Sequence, residues 1–212
     1  AHQKGALFIL DETITGFRYA AGGAQELFGI SADLVTFGKG LSNGFPLSAI
    51  CGRADIMKMM NDIFFSFTFG GETLSLAAAK ATMTKITREP VIQRMWQQGE
   101  KILTGLRELI AEHELESIFS LAGLPVWSFI IIQDTETYSQ WELKTLFMQE
   151  MLARGILTLG NHNISYSHSD EDISKLLNAY SEVLPLIKHV VKSKSLNQEL
   201  RCKPLEPLFK IR

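Results

Sequence analysis

Two short apolar segments, each followed by charged residues, constrain the fold of this chain more than any other feature. Ala6–Leu10 reads ALFIL and precedes Asp11 and Glu12, and Leu34–Phe37 reads LVTF and leads through Gly38 to Lys39. Continuous apolar runs of this length are typical of strands that are covered on both faces, as in a parallel sheet. A segment with helical character lies between them, and alternation of strands and helices is the signature of an α/β fold. We therefore predict an α/β domain with a mostly parallel sheet.

The remaining segments divide the chain into three parts. Residues 1–90 hold the alternating strands and helices, and Pro90 marks a break. Residues 91–191 are predicted to form a smaller α+β unit that begins with a long amphipathic helix. Residues 192–212 form a tail with six Lys or Arg residues and two Glu, for which a partly mobile end is favoured over a binding arm.

Local signals place the individual elements. Ser139 with Glu142, and Ser169 with the acidic residues after it, mark helix starts, and Pro185 is expected to kink the last helix. The other predicted helices are residues 24–28, 53–61, 72–87 and 91–113. The predicted strands after the first two are residues 47–51, 118–121, 126–132, 156–159 and 164–166, and residues 63–69 are expected to be extended.

Composition argues against several classes of function. Hydrophobic residues make up 46% of the 212, enough for a packed core, and the net charge of −2 gives no global attraction to nucleic acid or to an anionic membrane. The longest apolar runs, such as residues 126–132, are too short to span a bilayer. The two cysteines, Cys51 and Cys202, lie far apart in sequence, which favours a reducing, cytoplasmic location. The chain starts without Met and enters a strand almost at once, so we expect it to be part of a larger protein.

Asp11 and Lys39 are the first candidate functional pair. Each follows a predicted parallel strand, and ligands of open α/β sheets bind beyond the carboxyl ends of the strands. The two side chains can form a plain ion pair, or they can contact a ligand that has a cationic ring and an aldehyde, such as pyridoxal 5'-phosphate. The spacing alone leaves both interpretations open. The FGKGLS segment lacks the first glycine of a phosphate-binding P-loop, so that motif is rejected.

Longer motifs supply a family resemblance. FILDETITGFR, DLVTFGKGLSNGFPLSAICGR and FTFGGETLSLAAAKAT occur in this order, and RGILTLGNHNISYSHSDEDISKLLNAY follows near the end. Together they resemble the class III, fold-type I, pyridoxal-phosphate aminotransferases, above all the glutamate-1-semialdehyde aminomutase subgroup. The resemblance covers residues 5–190 and corresponds to the second half of the family's chain. It implies part of the large cofactor-binding domain in residues 1–90 and the small C-terminal domain in residues 91–191.

The resemblance also implies a role for each matching residue. Lys39 would be the Schiff-base lysine, and Asp11 would pair with the pyridinium nitrogen of pyridoxal 5'-phosphate. Thr68 would bind the cofactor phosphate of a neighbouring subunit, which implies a homodimer with shared active sites. Thr13 stands where the family usually has a valine packed against the cofactor ring. Glu72 and Thr73 stand where many relatives have Asn and Pro, so the start of the following helix differs.

Several functional alternatives remain open at the level of sequence. The substrates implied are a small-molecule amino donor and acceptor, and the sequence does not separate an aminotransferase from an aminomutase. The glycine-rich phosphate loop and the ring-stacking aromatic residue of the family lie N-terminal to this segment, so the chain can instead be a catalytically silent module for dimerisation or partner binding. Loop structure is favoured over substrate contact for His162, and a structural or entrance position is favoured for Arg18. The phenylalanines at 64, 65, 67 and 69 are expected in the core or at a subunit interface.

Overall fold

The computed structural model describes residues 1–207, and the chain divides into two compact units, Ala1–Arg94 and Met95–Arg212. We call them unit 1 and unit 2. The regular elements, in chain order, are β1 (Ile9–Asp11), α1 (Ala24–Phe28), β2 (Leu34–Phe37), β3 (Ala49–Gly52), α2 (Ala54–Met57), α3 (Thr73–Arg88), α4 (Val91–Glu112), β4 (Phe119–Leu124), β5 (Trp127–Ile132), α5 (Gln140–Ala153), β6 (Asn161–Asn163), α6 (Asp170–Ser193) and α7 (Leu196–Glu199). Short 3₁₀ turns cover His2–Lys4, Lys39–Leu41 and Lys58–Asp62.

Unit 1 is built on a three-stranded sheet in the order β1-β2-β3. β1 and β2 are parallel, with Asp11 opposite Thr36, whereas β3 runs antiparallel to β2. The predicted bounds of β2 are confirmed, whereas β1 begins three residues later than predicted, since the Phe8 N–H donates to the Asp33 side chain rather than to a strand backbone. Residues 63–69, expected to be extended, form no strand.

The buried carboxylate of Glu12 holds the segment after β1 in place through hydrogen bonds. Glu12 is fully buried and accepts hydrogen bonds from the hydroxyl of Thr15 and from the backbone N–H groups of Ala24, at 2.8 Å, and Gln25, at 2.9 Å. A buried carboxylate needs such donors, since an unpaired one would lose its hydration without compensation. Glu12 therefore joins the end of β1 to the start of α1 and fixes the path of the loop beside Asp11.

Unit 2 contains an antiparallel sheet in the order β4-β5-β6 together with α5, α6 and most of α4. The predicted capping box at Ser139 and the predicted cap at Ser169 are confirmed, and α6 continues through Pro185. The predicted strands at residues 156–159 and 164–166 are wrong, because the third strand is β6. The apolar pattern misled the prediction: Leu157 and Leu159 are 86% and 64% exposed, whereas the polar His162 of β6 is buried opposite Ser128.

The first part of the tail packs against α5. Leu196 is fully buried, the side chain of Gln149 bonds the backbone of Glu199 and Arg201, and the N–H of Leu205 donates to the Thr145 hydroxyl over 2.8 Å. The last five residues of the predicted tail, 208–212, lie outside the described residues. Within residues 1–207, no helix combines the length and apolarity needed to cross a membrane.

Candidate active site

Unit 1 brings Asp11 and Lys39 to the same edge of its sheet. Asp11 is the last residue of β1, and Lys39 starts the 3₁₀ turn two residues after the end of β2 at Phe37. Because β1 and β2 are parallel, their carboxyl ends meet at this edge. Both side chains are exposed, and no salt bridge joins them, although the charge of Lys39 contributes to lowering the pKa of Asp11. A direct ion pair therefore does not account for the two residues.

The Asp11 carboxylate is held through one of its two oxygens. Oδ1 accepts a hydrogen bond from the backbone N–H of Thr13 and another from the hydroxyl of Thr36, each 2.9 Å long. Thr13, through its side chain and its backbone N–H, and the Thr36 hydroxyl lower the pKa of Asp11 below its usual value. Among the described residues, no hydrogen bond ends on Oδ2. The side chain is therefore an ionised carboxylate with one oxygen fixed and the other available.

The backbone around Lys39 is unusual and depends on its glycine neighbours. Lys39 has a φ of 40°, in the left-handed region that side-chain-bearing residues rarely adopt. A Cβ added to the buried Gly38 would lie 3.2 Å from the Thr13 methyl, so glycine lets the turn pass close to the loop after β1. Strained conformations of this kind concentrate at functional sites.

The structure brings together three of the four residues predicted for the site. Asp11, Thr13 and Lys39 lie at one sheet edge, and the Thr13 N–H donates to Asp11. Thr68 lies in an exposed turn before α3, and no hydrogen bond among the described residues connects it to the other three. Glu72 caps α3, accepting bonds of 2.7 Å from the N–H groups of Leu74 and Ser75.

Sequence reasoning missed two residues that shape this edge, Thr36 and Glu12. Thr36 binds Asp11 across the strand pair, and Glu12 anchors the adjacent loop. Thr36 could not be found from the strand ends, because the register places Asp11 opposite Thr36 rather than opposite Phe37, the last residue of β2. Glu12 carried no signal either, since its partners lie in a loop and in the first turn of α1.

Two further polar residues were weighed in the sequence, His162 and Arg18. His162 lies in β6 with both ring nitrogens engaged: Nδ1 is 2.9 Å from the Ser128 hydroxyl, and Nε2 is 2.8 Å from the Tyr180 hydroxyl. Burial lowers the pKa of His162 to about 4 and raises that of Tyr180. Arg18 is half-buried, which lowers its pKa. Across residues 1–207, no cluster of three His, Cys, Asp or Glu side chains suits a metal ion.

Comparisons with known proteins bear on the family of this chain. The family model described as aminotransferase class-III matches residues 1–184. The chain is 38% identical over 192 residues to the glutamate-1-semialdehyde 2,1-aminomutase of Alkaliphilus oremlandii, and the match covers 86% of this chain and 45% of that relative. It is 29% identical over 194 residues to the 3-aminobutyryl-CoA aminotransferase of Cloacimonas acidaminovorans, with 90% of this chain and 46% of that relative covered. The chain thus spans about half the length of the curated relatives it matches.

Solved structures give the same result for the fold. The FumI protein of Sphingopyxis sp. MTA144, solved in its PLP internal aldimine form, matches with a TM-score of 0.81 at 25% identity. The match covers 91% of this chain and 46% of that protein. The two units therefore have the fold of a partial fold-type I transferase chain, as the resemblance implied.

Proposed function

Since this chain belongs to the class-III aminotransferase family, whose cofactor is pyridoxal phosphate, we propose that it carries amino-group transfer chemistry as part of such an enzyme, with Lys39 as the Schiff-base lysine. The amino donor and acceptor are small molecules. The named relatives include both an aminomutase and an aminotransferase, and the proposal covers the half-reaction that the two have in common.

The arrangement of Asp11 supports this proposal more than any other observation. A pyridine ring nitrogen that must stay protonated needs an ionised carboxylate with a free oxygen, and Asp11 offers one beside Lys39 at one sheet edge. The residues present therefore fit the cofactor. When bound, the cofactor supplies an electron sink for the bond changes at the amino-bearing carbon of the substrate.

The chain's own residues would do the remaining work. The Lys39 amine would hold the cofactor aldehyde and, when free, would accept and return a proton at Nζ. Asp11 would hold the ring-nitrogen proton through Oδ2. Thr13 would offer its methyl group to the ring, and its N–H holds Asp11. Thr68 is proposed to reach the cofactor phosphate of a second subunit, in a homodimer with shared sites. Its exposed position in the turn before α3 is compatible with this role.

A second candidate function is a catalytically silent module for dimerisation or partner binding. The observation behind it is that the phosphate loop and the stacking aromatic residue of the family are not recognisable among these 212 residues. Cofactor binding separates the two candidates. The domain assignment of residues 1–90 and 91–191 to large and small domains, and the cytoplasmic location, stay predictions.

The test is to add pyridoxal phosphate to the protein, record the near-ultraviolet and visible spectrum, reduce with borohydride, and map the labelled peptide by mass spectrometry. We expect a lysine-bound cofactor band and a reduced label on Lys39, both absent in Lys39→Ala. Lys80→Ala, which removes another exposed lysine of unit 1, is the matched control and should keep both signals. A label that persists in Lys39→Ala contradicts the assignment, and no band in the unsubstituted protein favours the silent module.

A further inference from the structure

Among residues 1–207, the Thr36 hydroxyl makes its one hydrogen bond to Asp11. Thr36 lies on β2, half-buried, directly opposite Asp11 in the parallel ladder, and donates to Oδ1 over 2.9 Å. Valine has the same shape as threonine and packs well in strands, and it would bury no hydroxyl at this position. The strand itself therefore gives no reason for a hydroxyl here, whereas the carboxylate does.

The bond from Thr36 differs in kind from the one that Thr13 makes. The Thr13 N–H lies two residues from Asp11 on the same segment, so it shapes the local turn. The Thr36 hydroxyl bonds a residue that lies 25 positions away in sequence, on the neighbouring strand, and Thr36 itself lies three residues before Lys39. It thereby sets the position of the carboxylate relative to the strand that delivers the lysine.

The charged surroundings of Asp11 are simple, which makes the effect of one hydroxyl measurable. Lys39 is the charged group that acts on the Asp11 carboxylate, and the remaining influences come from Thr13, Thr36 and slight burial. An exposed carboxylate without donors titrates near its ordinary value. Two donors on one oxygen favour the ionised form and also select one side-chain orientation.

We propose that Thr36 is a positioning residue for the cofactor: its hydroxyl fixes Oδ1 of Asp11, keeps the carboxylate ionised, and leaves Oδ2 as the oxygen that holds the ring-nitrogen proton. The role of Oδ2 rests on the proposed function, whereas the hold of Thr36 on Asp11 can be tested without any cofactor.

The first experiment measures the Asp11 carboxyl pKa in the cofactor-free chain by a carbon-13 NMR pH titration. Thr36→Val should raise that pKa by roughly half a unit to one unit, since it removes one hydrogen bond to a charged group at an exposed site. Thr36→Ser restores the hydroxyl and should return the pKa to the value of the unsubstituted chain. Thr87→Val is the matched control, because the Thr87 hydroxyl bonds Met83 within α3.

The second experiment measures pyridoxal phosphate affinity and the pH dependence of the cofactor band in the same variants. Thr36→Val should weaken binding by about three- to tenfold and Thr36→Ser by less, as expected for one such hydrogen bond. An unchanged Asp11 pKa in Thr36→Val overturns the proposal. A raised pKa with no cofactor bound by any variant, the unsubstituted chain included, keeps the hold on Asp11 and rejects the proposed function and the cofactor role together.

Discussion

The two units differ in where their apolar side chains lie. Among the described residues, seventeen of the twenty-two exposed large hydrophobic side chains belong to unit 1, whereas twenty-four of the twenty-nine buried hydrophobic residues belong to unit 2. The strands of unit 1 show the same contrast, since Val35 is the buried residue among them. Unit 2 therefore has its own hydrophobic core, and unit 1 presents a sheet with little cover from the described residues.

The candidate site lies in unit 1, whereas most of the buried hydrophobic residues lie in unit 2. Asp11, Thr36 and Lys39 lie in the unit with the smaller core and depend on hydrogen bonds and strand register for their positions. Unit 2 buries Phe119, Phe147 and the Tyr180 ring together, and such a core supplies most of the free energy of folding. Three predictions test this contrast. All three tryptophans belong to unit 2, so tryptophan fluorescence reports the unfolding of unit 2.

The largest effect is expected from a cavity in unit 2. Phe147 is fully buried, with its ring 6.0 Å from that of Tyr180 and 6.5 Å from that of Phe119. Phe147→Ala should lower the free energy of unfolding by about 3–5 kcal/mol, measured by urea titration with tryptophan fluorescence. The matched control is Phe64→Ala in unit 1, where the ring is 95% exposed and the change should stay within about 0.5 kcal/mol. An equal loss in both variants would break the comparison.

A somewhat smaller effect is expected from acid. The folded-state pKa of His162 is lowered to about 4 from 6.5, so the unfolded chain binds the proton first as the pH falls. The contribution of His162 to the free energy of unfolding should be fully present above pH 6.5. It should decline toward pH 4, by about 3 kcal/mol in total. The measurement is the free energy of unfolding at several pH values. His162→Asn should flatten this decline and His189→Asn, at an exposed position of α6, should not. A decline of equal size in His162→Asn would assign it to other groups.

The smallest effect is expected at the start of α6. The Ser169 hydroxyl accepts from the N–H of Asp172 over 3.1 Å and forms one half of the capping box. Ser169→Ala should cost about 1 kcal/mol in the urea titration of unit 2. Ser174→Ala, five residues along the same helix, removes a hydroxyl that caps nothing and should cost less. If Ser174→Ala costs as much as Ser169→Ala, the cap does not hold α6.

The sequence predicted what depends on local signals and strong periodicity. Ser139 and Ser169 predicted the starts of α5 and α6, and the apolar run before Gly38 predicted the bounds of β2. β6 was missed because its buried residue is a histidine satisfied by Ser128 and Tyr180, partners that lie far away in sequence. For the site, strand ends pointed to Asp11 and Lys39, but the hydrogen bonds of Thr36 and Glu12 depend on register and loop path, which no local pattern encodes.

The buried chain Ser128–His162–Tyr180 has a further consequence. A neutral imidazole carries its single N–H on either Nδ1 or Nε2, so one ring nitrogen donates and the other accepts. The two hydroxyls must take opposite roles: when Ser128 donates to Nδ1, Tyr180 accepts from Nε2, and when Tyr180 donates, Ser128 accepts. The direction of the hydrogen bond to Ser128 on β5 therefore sets the direction of the hydrogen bond to Tyr180 on α6. The two tautomers of His162 correspond to the two directions in which this buried hydrogen-bond chain can run.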